Sequence, residues 1–136
     1  GALREPLYPG IRETLHALRD AGWSLAVATG KSDRGLIATL AANDLSDLFE
    51  SLQTADRHPS KPHPAMLEAA LVECGAQASD AVMIGDTSFD IDMAKCAGVA
   101  PIGVAWGYHE PAELLRAGAV SVADAPSQLT ELILAR

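Results

Sequence analysis

Ala81-Val82-Met83-Ile84-Gly85-Asp86-Thr87-Ser88-Phe89-Asp90 runs four apolar residues into a glycine and then sets two carboxylates four positions apart. A short apolar run closed by Gly and followed by hydroxyl and acidic residues reads as a buried strand passing straight into a helix. The strand covers 81–84 and the helix about 88–97. Asp86 then stands at the strand end and Asp90 one turn into the helix, so both can face one pocket. Hard oxygen ligands beside a helix start suit Mg²⁺, which takes one or two carboxylates, several waters and a substrate phosphate oxygen. A plainer reading keeps both structural, with Asp86 capping the helix and Asp90 favouring its dipole.

Upstream, Ser24-Leu25-Ala26-Val27-Ala28-Thr29 is a second apolar run, and it enters Gly30-Lys31-Ser32. Its composition predicts a strand buried on both faces of a parallel sheet. A hydroxyl, a glycine and a helix start in succession can form a small oxyanion cradle, or Thr29 and Ser32 can simply cap the next helix. Helices are predicted over about 10–21, from Ser32 to about Asn43, and from Pro62 to Cys74. A weaker strand covers 49–54, another 102–105, and a minor one 120–122. A short helix opens at Glu110-Pro111 and a terminal helix carries Leu129, Leu132 and Ile133. Alternating strands and helices with short joints make this an α/β protein, a Rossmann-like three-layer α/β/α core with a mostly parallel sheet. No linker divides residues 1–136, so one domain is expected.

Between these runs lies Ser60-Lys61-Pro62-His63-Pro64. Two prolines restrict the backbone around Lys61, so its ammonium can be held against a phosphoryl group or a carboxylate, although most lysines are solvated surface charges. His58 and His63 flank it as loop residues expected to be solvated, and Trp23 and Trp106 are expected to pack near strand ends.

Composition narrows the functional classes. With 49 % hydrophobic and 21 % charged residues the chain resembles an ordinary globular protein. Its net charge of −8, with no basic stripe, argues against nucleic acid as a partner. Gly98 to Gly107, the most apolar stretch, is about ten residues, half of what a bilayer requires, so no membrane is expected. No secretory signal is visible and the two cysteines, Cys74 and Cys96, form no metal or disulfide pattern, which fits reduced thiols in a cytoplasmic protein.

Taken in order, strand-Thr29-Gly30, Lys61-Pro62 before a helix, and strand-Gly85-Asp86-Thr87-x-x-Asp90 strongly resemble motifs two, three and four of the haloacid dehalogenase superfamily of hydrolases, and look closest to its phosphoglycolate-phosphatase-like branch. The resemblance runs over nearly the whole chain, including Trp106-Gly107-Tyr108-His109. It implies that Thr29 and the Gly30 amide bind the transferring phosphoryl group and that Lys61 balances charge on nucleophile and phosphate. Asp86 would ligate Mg²⁺, and Asp90 would hold a metal-bound water or orient Lys61. The substrate would be a small phosphorylated metabolite.

The family's first motif, Asp-x-Asp-Gly-Thr at the end of the central strand, is not in these residues. The single Asp-x-Asp, Asp90-Ile91-Asp92, lies in a predicted helix. The chain therefore resembles the C-terminal part of a longer phosphatase, without the attacking aspartate and without the cap that family members insert after it. Aspartyl-phosphate chemistry is then closed to residues 1–136 alone. A non-catalytic phosphate- or metal-binding module is the competing reading. A dehalogenase reading is weakened, because an acidic Mg²⁺ site has little use in halide displacement.

In the family the first-motif strand lies between the strands ending at Thr29 and Asp86, so its absence exposes two inner edges. Such edges attract other strands. Two outcomes are expected: the gap closes by pairing 25–29 with 82–85, or a strand is borrowed from another copy, giving a homo-oligomer.

Overall fold

The structure, a computed structural model, describes residues 8–136; residues 1–7 of the expected domain lie outside the described part. Among the described residues six α-helices and five short strands alternate. Helix α1 (Ile11–Asp20) leads to β1 (Ala26–Ala28), α2 (Asp33–Ala42), β2 (Ser51–Gln53) and α3 (Ala65–Cys74). Then come β3 (Val82–Gly85), α4 (Ser88–Ala97), β4 (Ala100–Val104), α5 (Pro111–Ala117), β5 (Ser121–Ala123) and α6 (Pro126–Leu134). Every element expected from the sequence is present. The largest boundary error is at α3, which begins at Ala65 rather than Pro62 because two prolines and a turn at 61–63 precede it.

All strand pairs are parallel. Leu18, Leu36, Leu129 and Ile133 bring α1, α2 and α6 onto one face, where they bury Ile102 and Val104. On the other face α3 and α4 pack Met66, Leu67 and Met93 against Met83, while α5 covers Ile91 with Leu114. This is the three-layer α/β/α core expected.

The sheet is divided. Among the described residues β1 pairs only with β2, and β3-β4-β5 form a separate three-stranded sheet, so residues 25–29 and 82–85 do not close on each other. The pairing expected as one outcome therefore does not form. Nor is β1 buried on both faces: Ala26 is exposed, and Ile84 of β3 is 37 % exposed, whereas its β4 partner Ile102 is 1 % exposed. The difference lies in the neighbours, since Ile102 has a strand on each side and Ile84 on one only.

That contrast sets an expected result. Ile102→Ala should cost about 2–5 kcal/mol, as truncation of a fully enclosed aliphatic does. Ile84→Ala should cost less than about 1 kcal/mol. Urea unfolding of the two variants measures both; equal costs would mean that the edge of β3 is covered in solution.

Candidate active site

β3 ends on Gly85, and the chain turns into α4 through a reciprocal cap. The Thr87 hydroxyl accepts from the Asp90 amide (3.3 Å), and Asp90 Oδ2 accepts from the Thr87 amide (3.2 Å) and hydroxyl (3.0 Å). Thr87, not Asp86, is thus the capping residue, which frees Asp86 from the structural role it could have had. The other Asp90 oxygen, Oδ1, accepts from Lys61 Nζ at 2.5 Å. The Asp90 side chain is 6 % exposed and that of Lys61 21 %, so the pair is largely shielded from water, where a charge-assisted hydrogen bond is strong. Both carboxylate oxygens of Asp90 are consequently engaged.

Asp86 is placed from its far side by the loop after β4. Its Oδ2 accepts from the Tyr108 amide (3.0 Å), and its carbonyl accepts from the His109 amide (2.9 Å). His109 Nδ1 in turn accepts from the Ser88 amide at 2.9 Å. That nitrogen uses its lone pair on the amide, so the ring proton sits on Nε2 and the 3.4 Å approach of Glu113 to Nδ1 is not an ion pair. Among the described residues no hydrogen bond engages Asp86 Oδ1, which leaves one carboxylate oxygen for a ligand.

Thr29 leaves β1 at the same edge. Its amide donates to Gln53 O (3.0 Å), which continues the ladder with β2, and its hydroxyl accepts from the Lys31 amide (3.2 Å) while keeping its own proton to donate. A Cβ built at Gly30 would meet nothing within 4 Å, so this backbone borders open space a ligand can enter. Ser32 caps α2, accepting from the Gly35 amide (3.0 Å).

The loop from β2 to Lys61 is tied down at its start. Thr54 donates to Asp33 Oδ1 (2.6 Å), Arg57 Nε approaches the same oxygen (3.1 Å), and the Ala55 amide donates to Lys31 O (3.1 Å). The Thr54 hydroxyl, with the Arg57 guanidinium beside it, holds the Asp33 carboxyl below the usual carboxylate range. His58, expected to be solvated, is instead half-buried and bonds Gln53 Oε1 at 2.7 Å. His63 Nδ1 accepts from the Ala65 amide at 3.1 Å, at the start of α3.

The structure thus joins Lys61 to Asp90, sets Asp86 four residues before Asp90 at the end of β3, and puts Thr29 at the corresponding end of β1. No hydrogen bond links Thr29 to the other three; Thr29 and Asp86 each follow the carboxyl end of a parallel-paired strand, where helix starts converge. Gly85, Thr87, Gly107, Tyr108 and His109 hold the carboxylates. Of these, only the Thr87-x-x-Asp90 spacing carries a local signal; the loop residues act from more than twenty positions away.

As a metal centre the site is partial. No group of three or more His, Cys, Asp or Glu side chains that could hold an ion occurs among the described residues. Asp86, with an uncommitted oxygen, fits an Mg²⁺ that keeps waters and a phosphate oxygen, and Asp90 could reach it only through water or by giving up a present bond.

The chain is similar to known proteins along most of its length. A probable phosphatase, IndB of Dickeya dadantii, is 41 % identical over 125 residues, covering 90 % of this chain and 54 % of that protein. A phosphoglycolate phosphatase of Vibrio vulnificus is 33 % identical over 129 residues, covering 94 % and 57 %. Among solved structures, a predicted phosphoglycolate phosphatase from Haemophilus somnus superposes with a TM-score of 0.86 at 29 % identity, over 93 % of this chain and 57 % of that one. A hydrolase of the same family from Deinococcus radiodurans, solved with bound phosphate and sodium, superposes with a TM-score of 0.82 at 27 % identity, over 90 % and 56 %. The chain spans about half the length of the curated relatives it matches. The haloacid dehalogenase-like hydrolase profile matches residues 4–104, a span that holds Thr29, Lys61, Asp86 and Asp90, and with it the chain belongs to that family, in its phosphoglycolate-phosphatase-like branch.

Proposed function

We propose that these residues are the phosphate- and metal-binding part of an Mg²⁺-dependent phosphomonoester hydrolase acting on a small phosphorylated metabolite. The observation that carries this reading is the shielded Lys61–Asp90 pair one helical turn from Asp86. It fixes a cation beside a carboxylate that still has an oxygen to offer. Thr29 Oγ1 and the Gly30 amide donate to phosphoryl oxygens, in open space at the end of β1. Lys61 neutralises charge on the transferring group, and Asp90 keeps its ammonium from swinging away. Asp86, with Asp90 in a lesser part, would hold an Mg²⁺, whose chemistry would be to draw charge from the phosphoryl oxygens. The Deinococcus relative was solved with bound phosphate and sodium, which supports a phosphate ligand for this chain.

The attacking carboxylate is not among residues 1–136, so these residues alone are inactive and the complete hydrolase contains a first-motif segment in addition. With phosphoglycolate or p-nitrophenyl phosphate and Mg²⁺, phosphate release by residues 1–136 should not exceed background. A chain extended by the aspartate-bearing strand and cap should turn over and stop on chelation with EDTA. Robust Mg²⁺-dependent release by residues 1–136 would refute the division of labour. Tight phosphate binding without turnover in the extended chain would favour the non-catalytic module.

A further inference from the structure

β2 carries polar side chains where a strand of a parallel sheet is ordinarily apolar. Ser51 and Gln53 are each only 2 % exposed, and two residues apart they share one face, which α3 covers. Buried polar residues at packing positions mark a place where the sequence serves more than packing.

These side chains form a line. Gln53 Nε2 donates to Ser51 Oγ (2.9 Å) and to Glu73 Oε1 (2.8 Å), and Ser51 Oγ donates to the same Glu73 oxygen (2.5 Å). A carboxylate only accepts, so the amide nitrogen of Gln53 faces Glu73 and both its hydrogens are used. Gln53 Oε1 is then left for His58 Nε2, 2.7 Å away. An amide oxygen also only accepts, so His58 carries a proton on Nε2 and donates it.

The line ends beside the site. Glu73 lies in the last turn of α3 and Lys61 precedes the first, at opposite ends of a helix about 15 Å long. The polar line runs back along β2 from the far end towards Lys61, which follows His58 by three residues. Among the described residues His58 is the last side chain before Lys61 itself that bonds another element. Gln53 is tied to the site a second time, because its carbonyl accepts from the Thr29 amide (3.0 Å). One buried residue thus joins the Thr29 strand end to the loop that presents Lys61.

We propose that His58 is a positioning residue for phosphoryl transfer, which it serves by anchoring the Lys61 loop to the Glu73–Ser51–Gln53 line. This role rests on the phosphatase assignment. It is indirect: His58 fixes the loop, and the loop fixes where the Lys61 ammonium stands. A lysine side chain has many rotamers, and a backbone free to shift beneath it multiplies the positions its charge can take. Satisfied buried networks are rigid, so the line holds that backbone still. The charge is needed most at the transferring group in the transition state, so the anchor acts on kcat and leaves KM nearly alone.

The test uses the extended hydrolase with p-nitrophenyl phosphate and Mg²⁺, well below the melting temperature of each variant. His58→Leu removes the donor, and kcat should fall about tenfold with KM within about twofold of the parent. His58→Gln returns a donor at the reach of Nε2 and should recover most of that kcat. Glu73→Ala, at an exposed position at the far end of α3, frees the Gln53 amide to flip and should lower kcat about threefold. In a Lys61→Ala background His58→Leu should cost nothing further, because the group it positions is gone. Near-normal kcat in His58→Leu would overturn the proposal, and should that variant not fold, near-normal kcat in Glu73→Ala would do so. So would a His58→Gln variant no better than His58→Leu, or a His58 effect undiminished without Lys61. An extended parent chain that shows no turnover would instead overturn the phosphatase assignment, and this role with it.

Discussion

Replacing Lys61 by alanine in the extended hydrolase should lower kcat/KM for a phosphomonoester by about 10²–10³-fold, the usual cost of removing one preorganised charge from a transferring group. The loss should fall mainly on kcat, because the transferring group carries its greatest charge demand in the transition state. Asp90→Asn should reproduce much of the loss without touching substrate. It weakens the bond at Oδ1 and releases the ammonium of a side chain that is otherwise only 21 % exposed. If Lys61→Ala retained near-normal turnover, the lysine would be a structural partner of Asp90 and nothing more.

Gly85→Ala should damage stability and site together. A Cβ at Gly85 would lie 2.2 Å from Asp90 Cβ and 2.7 Å from its carboxylate. A Cβ cannot rotate away, so α4 would have to shift, carrying with it Asp90 and the bond to Lys61. Overpacking of this kind costs about 3 kcal/mol, and for a domain of this size the melting temperature should fall by roughly 10 °C. Gly30→Ala is the comparison, since a Cβ there meets nothing within 4 Å and should change stability by less than about 0.5 kcal/mol. Calorimetry on the two variants measures the difference. Similar melting temperatures would show that the turn after β3 is looser than its packing implies.

Much of the fold was legible because local signals agreed with one another. Leu25 to Ala28 and Val82 to Ile84 are too short and too apolar for amphipathic helices, and glycines close them where the chain must turn. Asp86 and Asp90 were legible as a pair because their spacing is one helical turn. Which of them stays available was not, since that depends on Tyr108 and His109, whose amides and ring reach back over about twenty residues of sequence. Asp33, Thr54 and Arg57 were silent for the same reason: each is an ordinary polar residue until β1 and β2 pair and bring α2 beside the following loop. The exposure of Ala26 illustrates a different limit. Periodicity reports how apolar a strand is, not whether its neighbour lies in the same stretch of chain, and only the motif order pointed to a strand missing between β1 and β3.

A crystal structure of the extended chain grown with Mg²⁺ and a phosphate analogue such as tungstate would show where anion and cation sit. The anion is predicted within hydrogen-bond distance of Thr29 Oγ1 and Lys61 Nζ, with the cation on Asp86 and Asp90 still bonded to Lys61. An anion bound elsewhere, with Lys61 and Asp86 facing only water, would contradict the assignment of this edge as the phosphoryl-transfer site.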